Sequence, residues 1–439
     1  MSVELLTFMM LTILIAAIML GFPIGFCLAG VATVFGIIFV GPQIADVYML
    51  RIHVALSDYI LIAIPLFIFM GIIIEKAGIA GRLFDAMYMV LGGLRGGLAA
   101  ATIVACTIFA AATGVVGATV VTMGIMALPA MLKYKYNKEM ACGAICAGGA
   151  LGILIPPSIL ILVYAPTANV SVGALLIGAF IPGIVLSALY LAYILFLCFI
   201  KPEYGPALAK EERVDLRTKV KMVVTSVLPV CLIILAVLGT IFFGLAAPTE
   251  AAAFGAFASV ILAAFYKSLS WATIKEAAIR TVTTSAMVYM VVIGAAFFTS
   301  IFMRMGCGDF VEELVMALPF GKWGILMVMW IIIIIMGCFL DWIGIVMIVV
   351  PLFSPIAVKL GFNPIWFAMM NIVILQTSFL SPPFAYTIFY LKGIAPPEVK
   401  LTHIYAGVVP FLILQMLGAA LMAIFPQIIL IAPKAAGLM

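Results

Sequence analysis

The sequence predicts an all-α polytopic membrane protein of two inverted repeats, each with one re-entrant helical hairpin and one broken helix. Three observations carry this expectation. Of 439 residues, 67% are hydrophobic and only 9% charged, with a mean hydropathy of +1.38, whereas soluble domains carry ~25% charged residues. Two apolar spans are interrupted by a double proline, GGALGILIPPS (148–158) and QTSFLSPPFAYT (376–387). A proline lacks the backbone donor, and hydrocarbon cannot satisfy the carbonyls that a pair of prolines frees. Finally, a shift of 226 positions lays Pro156 and Pro157 on Pro382 and Pro383, Pro129 on Pro355, and Asn137 on Asn363. Interrupted helices at corresponding places in two halves point to the binding site of a secondary transporter.

A crossing needs ~20 apolar residues. In the first half, crossings are expected near 4–20, 24–40, 59–74, 140–165 and 174–200. In the second they fall near 222–241, 247–266, 281–302, 365–391 and 403–430. The stretches 97–131 and 323–353 are each long enough for two short helices and carry a small or polar break in the middle. They read as hairpins that enter and leave on one side, which is tolerable only where protein or water surrounds the tip. Segments 75–96 and 304–322 mix charges with Leu, Met and Phe and are expected to lie along opposite membrane surfaces. The first repeat is thus 1–200, with its broken helix at about 140–165. A cytoplasmic linker, 201–221, leads to the second repeat, 222–439, with its broken helix at about 365–391. Glu4 precedes the first apolar run and no Lys or Arg occurs before Arg51, so the first span is expected to be retained and not cleaved.

Five crossings and one hairpin per half turn the second half upside down. With the N-terminus outside, 17 of the 22 Lys and Arg residues fall in cytoplasmic segments, and Arg51, Arg304, Lys322, Lys359 and Lys434 fall outside. The positive-inside rule favours this orientation. It also accounts for the formal charge of +5 through topology, so no nucleic-acid partner is expected.

Chemistry concentrates at the hairpin breaks. Thr113 to Thr119 (TGVVGAT) would let a tip expose carbonyls at close range, and sodium prefers such hard oxygen ligands. One sodium site is therefore expected at Thr113, Gly114, Gly117, Gly149 and Gly152, the competing reading being helix packing by small residues. A second would use Asp341, Gly344, Thr377, Ser378 and Ser381. An ionisable group at the bilayer centre costs ~2.5 to 3.5 kcal/mol on insertion scales, so Asp341 is a functional candidate, compatible with a second role capping a short helix. Substrate is expected to meet Thr113, Gly117, Ser158, Gly344, Ser381 and Pro383. Glu250, after Pro248, reads as an N-terminal helix acid. The eight cysteines lie mostly in apolar stretches without a C-x-x-C, and there are two histidines, His53 and His403, so zinc chemistry is not expected. No phosphate-binding loop or H-E-x-x-H occurs. Neither an enzyme nor a cofactor other than coupling sodium is expected.

GGALGILIPPS after a hairpin, APTEAAAFGA opening a second-half span, and SPPFAYTIFYLKG closing the second broken helix together resemble the large membrane subunit of tripartite ATP-independent periplasmic (TRAP) transporters, over essentially the whole chain. The resemblance implies an elevator-type, sodium-coupled importer of organic acids in the bacterial inner membrane. Hairpins and broken helices would form its moving domain. It implies two protein partners, a small four-helix membrane subunit and a periplasmic solute-binding protein, besides the membrane lipid. Competing readings are a stand-alone or two-component sodium/dicarboxylate symporter and, more distantly, an integral membrane enzyme.

Overall fold

In the structure, a computed structural model that describes residues 2–208, 214–382 and 385–439, every regular element is a helix. Eight of the described helices are long and apolar enough to cross a membrane. Both hairpins form. The first joins Gly97–Thr113 to Val116–Lys133 through Gly114, whose φ of 63° is left-handed and free of strain only for glycine. The second joins Lys322–Gly337 to Trp342–Lys359.

Both broken helices are interrupted, the first at Pro156 and Pro157 and the second at Pro382. Lys138–Ala150 tightens into a 3-10 turn, Leu151–Ile153, before the chain resumes as Ile159–Thr167. Likewise Pro364–Gln376 tightens through Thr377–Phe379 and resumes as Tyr386–Ile394. Every helix bound from Val116 to Ile153 recurs 226 positions later, from Trp342 to Phe379. The matched asparagines explain part of this register. Asn137 accepts from the Met140 amide at 2.9 Å, and Asn363 accepts from the Ile365 and Trp366 amides at 3.0 and 3.1 Å. Each is an N-cap that fixes where its broken helix begins.

These broken helices occupy the centre. All residues from Met140 to Ala150 and from Trp366 to Gln376 are buried. A helix enclosed on every side needs apolar residues all round, and any polar side chain in it needs a partner. Asn371 has two: it accepts from the Trp330 indole at 3.1 Å and donates to the Tyr164 hydroxyl at 2.9 Å. One amide thereby ties the second hairpin and second broken helix to the first broken helix. Gln415 works similarly, accepting from Tyr190 at 2.9 Å and donating to the Val373 carbonyl at 3.0 Å. Helix Leu401–Ile424 lies against Lys138–Ala150 at glycine distance. A Cβ on Gly143 would strike the Gly407 carbonyl, and one on Gly407 the Glu139 carbonyl.

Several bounds differ from the sequence expectation. Residues 41–58, expected as a connection, hold the helix Ile44–Leu56, pinned by Tyr48 stacked on Phe297 at 3.7 Å. The linker ends early, because helix begins at Leu216 and continues through a π turn, Val223–Val227, into Leu228–Phe242. Pro229 explains the wide turn: its ring crowds the carbonyl four residues back, and that Thr225 carbonyl instead accepts from the Tyr266 hydroxyl at 2.6 Å. The span expected at 281–302 is the 34-residue helix Trp271–Arg304, whose polar first turns are held by ion pairs to Glu75 and Lys76. The last crossing stops at Ile424, and beyond Pro426 the helix Gln427–Ala435 is separate. The expected surface segments hold Ile79–Leu91 and Cys307–Met316, each with an apolar face buried.

Contacts gather the loops at two ends. Gly96 and Leu208 bond to Gly205 and Gly92, Asn137 to Tyr204, and Lys138 to Glu398, which assembles one basic face. Arg51 bonds to Ser300, Lys359 pairs with Glu312, and Phe8 meets Phe310 at the other end. This grouping matches the sidedness of the basic residues.

Candidate functional site

Each hairpin tip abuts a break. A Cβ on Gly114 would sit 2.6 Å from the Pro157 carbonyl, so only glycine admits the first tip so close to the first double proline. Gly337, ending the first arm of the second hairpin, is packed equally tightly on Ser378. The breaks are closed by a repeated device. The Ser158 hydroxyl donates to the Ile153 carbonyl, and the Thr387 hydroxyl donates to the Phe379 carbonyl at 2.6 Å. In both, a hydroxyl beyond the break satisfies the last carbonyl of the 3-10 turn, which hydrocarbon would leave orphaned.

A cavity of about 630 Å³ lies between the two tips and the two breaks. Its walls include Gly114 to Gly117 from the first hairpin, Ile153 and Ile159 flanking the first break, and Asp341 to Ile343 from the second tip. Phe379, Tyr386 and Tyr390 come from the second broken helix. The far wall is Pro23 to Phe26 and the long helix, from Thr284 to Val291. Asp341 caps the second arm of its hairpin, its Oδ2 accepting from the Ile343 amide at 3.4 Å. Tyr386 and Tyr390, one helical turn apart, lie within electrostatic reach of that carboxylate. A carboxylate, two phenols and nearby carbonyls form a hard-oxygen surface that suits an alkali cation. The apolar walls suit the carbon frame of a small solute.

The first expected sodium set is brought together at the first tip and break. Gly149 packs on Val120, Gly152 lies 3.5 Å by its virtual Cβ from the Val115 carbonyl carbon, and Gly117 faces the Tyr390 ring. The Thr113 hydroxyl bonds within its own helix to Phe109 at 3.0 Å, leaving its backbone to face Gly71. In the second set, Thr377, Ser378 and Ser381 donate to Ile374, Leu375 and Thr377 carbonyls at 2.6, 2.5 and 2.7 Å. Gly344 is pressed against Ile24. Of the expected substrate contacts, Gly117 lines the central cavity and Thr113 an adjoining one; Ser158, Gly344 and Ser381 line neither, and Pro383 lies outside the described residues. Sequence reasoning passed over Tyr386, Tyr390 and Thr284. The spacing of the two tyrosines, four apart and just beyond a double proline, was the available signal. Thr284 sits in a helix whose pattern is that of an ordinary span, and nothing local marks it.

Among known proteins, the family described as "Tripartite ATP-independent periplasmic transporter, DctM component" matches residues 11–428. The chain is 30% identical to the C4-dicarboxylate TRAP transporter large permease protein DctM of Rhodobacter capsulatus, covering 97% of this chain and 98% of that protein. It is 28% identical to the sialic acid TRAP transporter large permease protein SiaM of Vibrio cholerae, over 94% of this chain and 95% of that one. A longer relative, the isethionate TRAP transporter permease protein DctMQ of Oleidesulfovibrio alaskensis, is 29% identical over 91% of this chain, which spans 62% of it. Among solved structures, the Alcanivorax borkumensis YdaH transporter, described as having an unusual topology, superposes with a TM-score of 0.62 over 89% of both chains. At 14% identity that likeness concerns the fold alone.

Proposed function

The chain belongs to the DctM-component family of TRAP transporters, and from that premise we propose that it imports an organic acid by sodium-coupled secondary transport. The acid arrives on a periplasmic solute-binding protein, and a small four-helix membrane subunit completes the assembly in a bacterial inner membrane. The observation that carries this reading is the central cavity, where both tips, both breaks and Asp341 converge. Relatives named for C4-dicarboxylate and sialic acid transport both handle carboxylates, which supports an organic acid as the solute class. Sodium would be held by Asp341 and the oxygens of the second tip and break, and by the carbonyls around Thr113, Gly114, Gly149 and Gly152. The second hairpin and both broken helices, crosslinked by Asn371, would move as one body with the first hairpin against a scaffold containing the long helix.

Uptake of radiolabelled C4-dicarboxylates and sialic acid into proteoliposomes containing all three components tests the reading. Uptake is expected only with a sodium gradient and only with the binding protein present. Uptake by this chain alone would favour the stand-alone symporter. Uptake indifferent to sodium would remove the coupling.

A further inference from the structure

We propose that Arg280 forms a second, weaker anion subsite, through which a carboxylate leaves the central cavity toward the basic face. The inference rests on the organic-acid reading above for the identity of its natural ligand, but not for its geometry.

A cavity of about 530 Å³ adjoins the central one and shares Val115, Gly117, Thr284 and Tyr390 with it. Glu75 and Arg280 stand in this second cavity, which therefore leads from the hairpin tip toward the basic face. Among the described residues lining the two cavities, Arg280 is the one cationic side chain. It lies one helical turn from Thr284, which faces both spaces, so residues four apart on the long helix form a short ladder out of the centre.

The guanidinium is also underused. Its hydrogen bonding to described residues is a single bond, Nη1 to the Glu75 carboxylate at 3.3 Å, and its side chain is 50% exposed. An arginine has five N–H donors in a planar fork that fits a carboxylate edge-on. The neighbouring Lys76 is paired with Glu276 at 2.7 Å, and although Glu276 also lies in the field of Arg280, Glu75 is the carboxylate hydrogen-bonded to the guanidinium and the one with which an arriving anion competes. That competition makes the subsite weak, which suits release. It also gives the two partners opposite expected effects: removing Glu75 strengthens anion attraction and removing Arg280 abolishes it.

The test places a reporter cysteine at Thr283, on the vestibule wall, in the chain purified with its small subunit. The rate of modification is measured with methanethiosulfonates of similar size bearing a sulfonate or a trimethylammonium group. The sulfonate-to-ammonium rate ratio is expected to fall about tenfold in Arg280→Gln, hold in Arg280→Lys and rise in Glu75→Gln. Succinate at millimolar concentration is expected to slow the sulfonate reagent in the parent and in Glu75→Gln, but not in Arg280→Gln. Equal shifts in Arg280→Gln and Glu75→Gln, or none in either, would reduce the pair to a structural ion bridge and overturn the proposal. A loss in Arg280→Lys as large as in Arg280→Gln would also overturn it. Ratios that behave as expected without protection by any carboxylate would report the local charge alone and overturn the subsite, leaving the organic-acid reading to the uptake assay.

Discussion

Asp341 holds the first turn of a hairpin helix and faces the central cavity with the same carboxylate, and substitutions separate these two tasks. Asparagine caps a helix about as well as aspartate, whereas alanine forfeits about 1 kcal/mol. Asp341→Asn is therefore expected to melt like the parent, and Asp341→Ala a few degrees lower; both are expected to lose sodium-dependent uptake. Parent-like uptake by the asparagine variant would leave the residue as a cap only. The hydroxyl staples give a second prediction. Ser158→Ala and Thr387→Val each leave a buried carbonyl unsatisfied, so each is expected to cost about 1 to 3 kcal/mol in thermal unfolding. In the sequence, Ser158 had looked like a ligand because a hydroxyl beside a double proline can face either a solute or its own backbone. Composition cannot distinguish those outcomes; the fold directs Ser158 to Ile153. Asp341 stood out in the sequence because a lone carboxylate within an apolar stretch is costly, and the capping role left open for it there is the one its hydrogen bond shows.

Among the elements, the two broken helices were the most readable. The prolines that break them and the asparagines that start them are local devices, acting within four residues, and local chemistry survives in a single sequence. What joins one broken helix to the other was not readable, since Asn371, Tyr164 and Trp330 are distant in sequence and each looks like ordinary membrane filler. Replacing Asn371 by leucine strands the Trp330 N–H in an apolar interior, at about 1 to 3 kcal/mol, and leaves the Tyr164 hydroxyl with only Ser354 nearby. The expected result is a marked loss of thermal stability, partly recovered in a Tyr164→Phe double variant; additive losses in that cycle would show that the three side chains do not act together. Helix bounds were missed where a helix outruns its apolar segment. Trp271–Arg304 begins among charges that only its neighbours Glu75 and Lys76 make sense of.

For the whole molecule, the 226-position shift read from the prolines and asparagines recurs in the helix bounds of Val116–Ile153 and Trp342–Phe379, whereas the packing of the first hairpin on helix Ala63–Lys76 emerges only in three dimensions. Gly71, on helix Ala63–Lys76, lies so close to the first hairpin that an added Cβ would be 2.7 Å from the Thr113 carbonyl. If this contact slides during transport, Gly71→Leu is expected to cut uptake at least about tenfold while the purified protein stays folded, since over-packing a tight contact costs about 1 to 3 kcal/mol. Undiminished uptake would place the moving boundary elsewhere. The adjoining cavities have an electrical consequence as well. If solvent fills both cavities from the Arg280 side, it carries that face's potential as far as the space beside Asp341, and the membrane voltage then falls mainly across the protein beyond that residue. A cation settling at the centre from that side would then cross little of the field. In that arrangement the charge movement worth ~2.3 kcal/mol per 100 mV would belong to the proposed step that carries the occupied centre across the remaining protein.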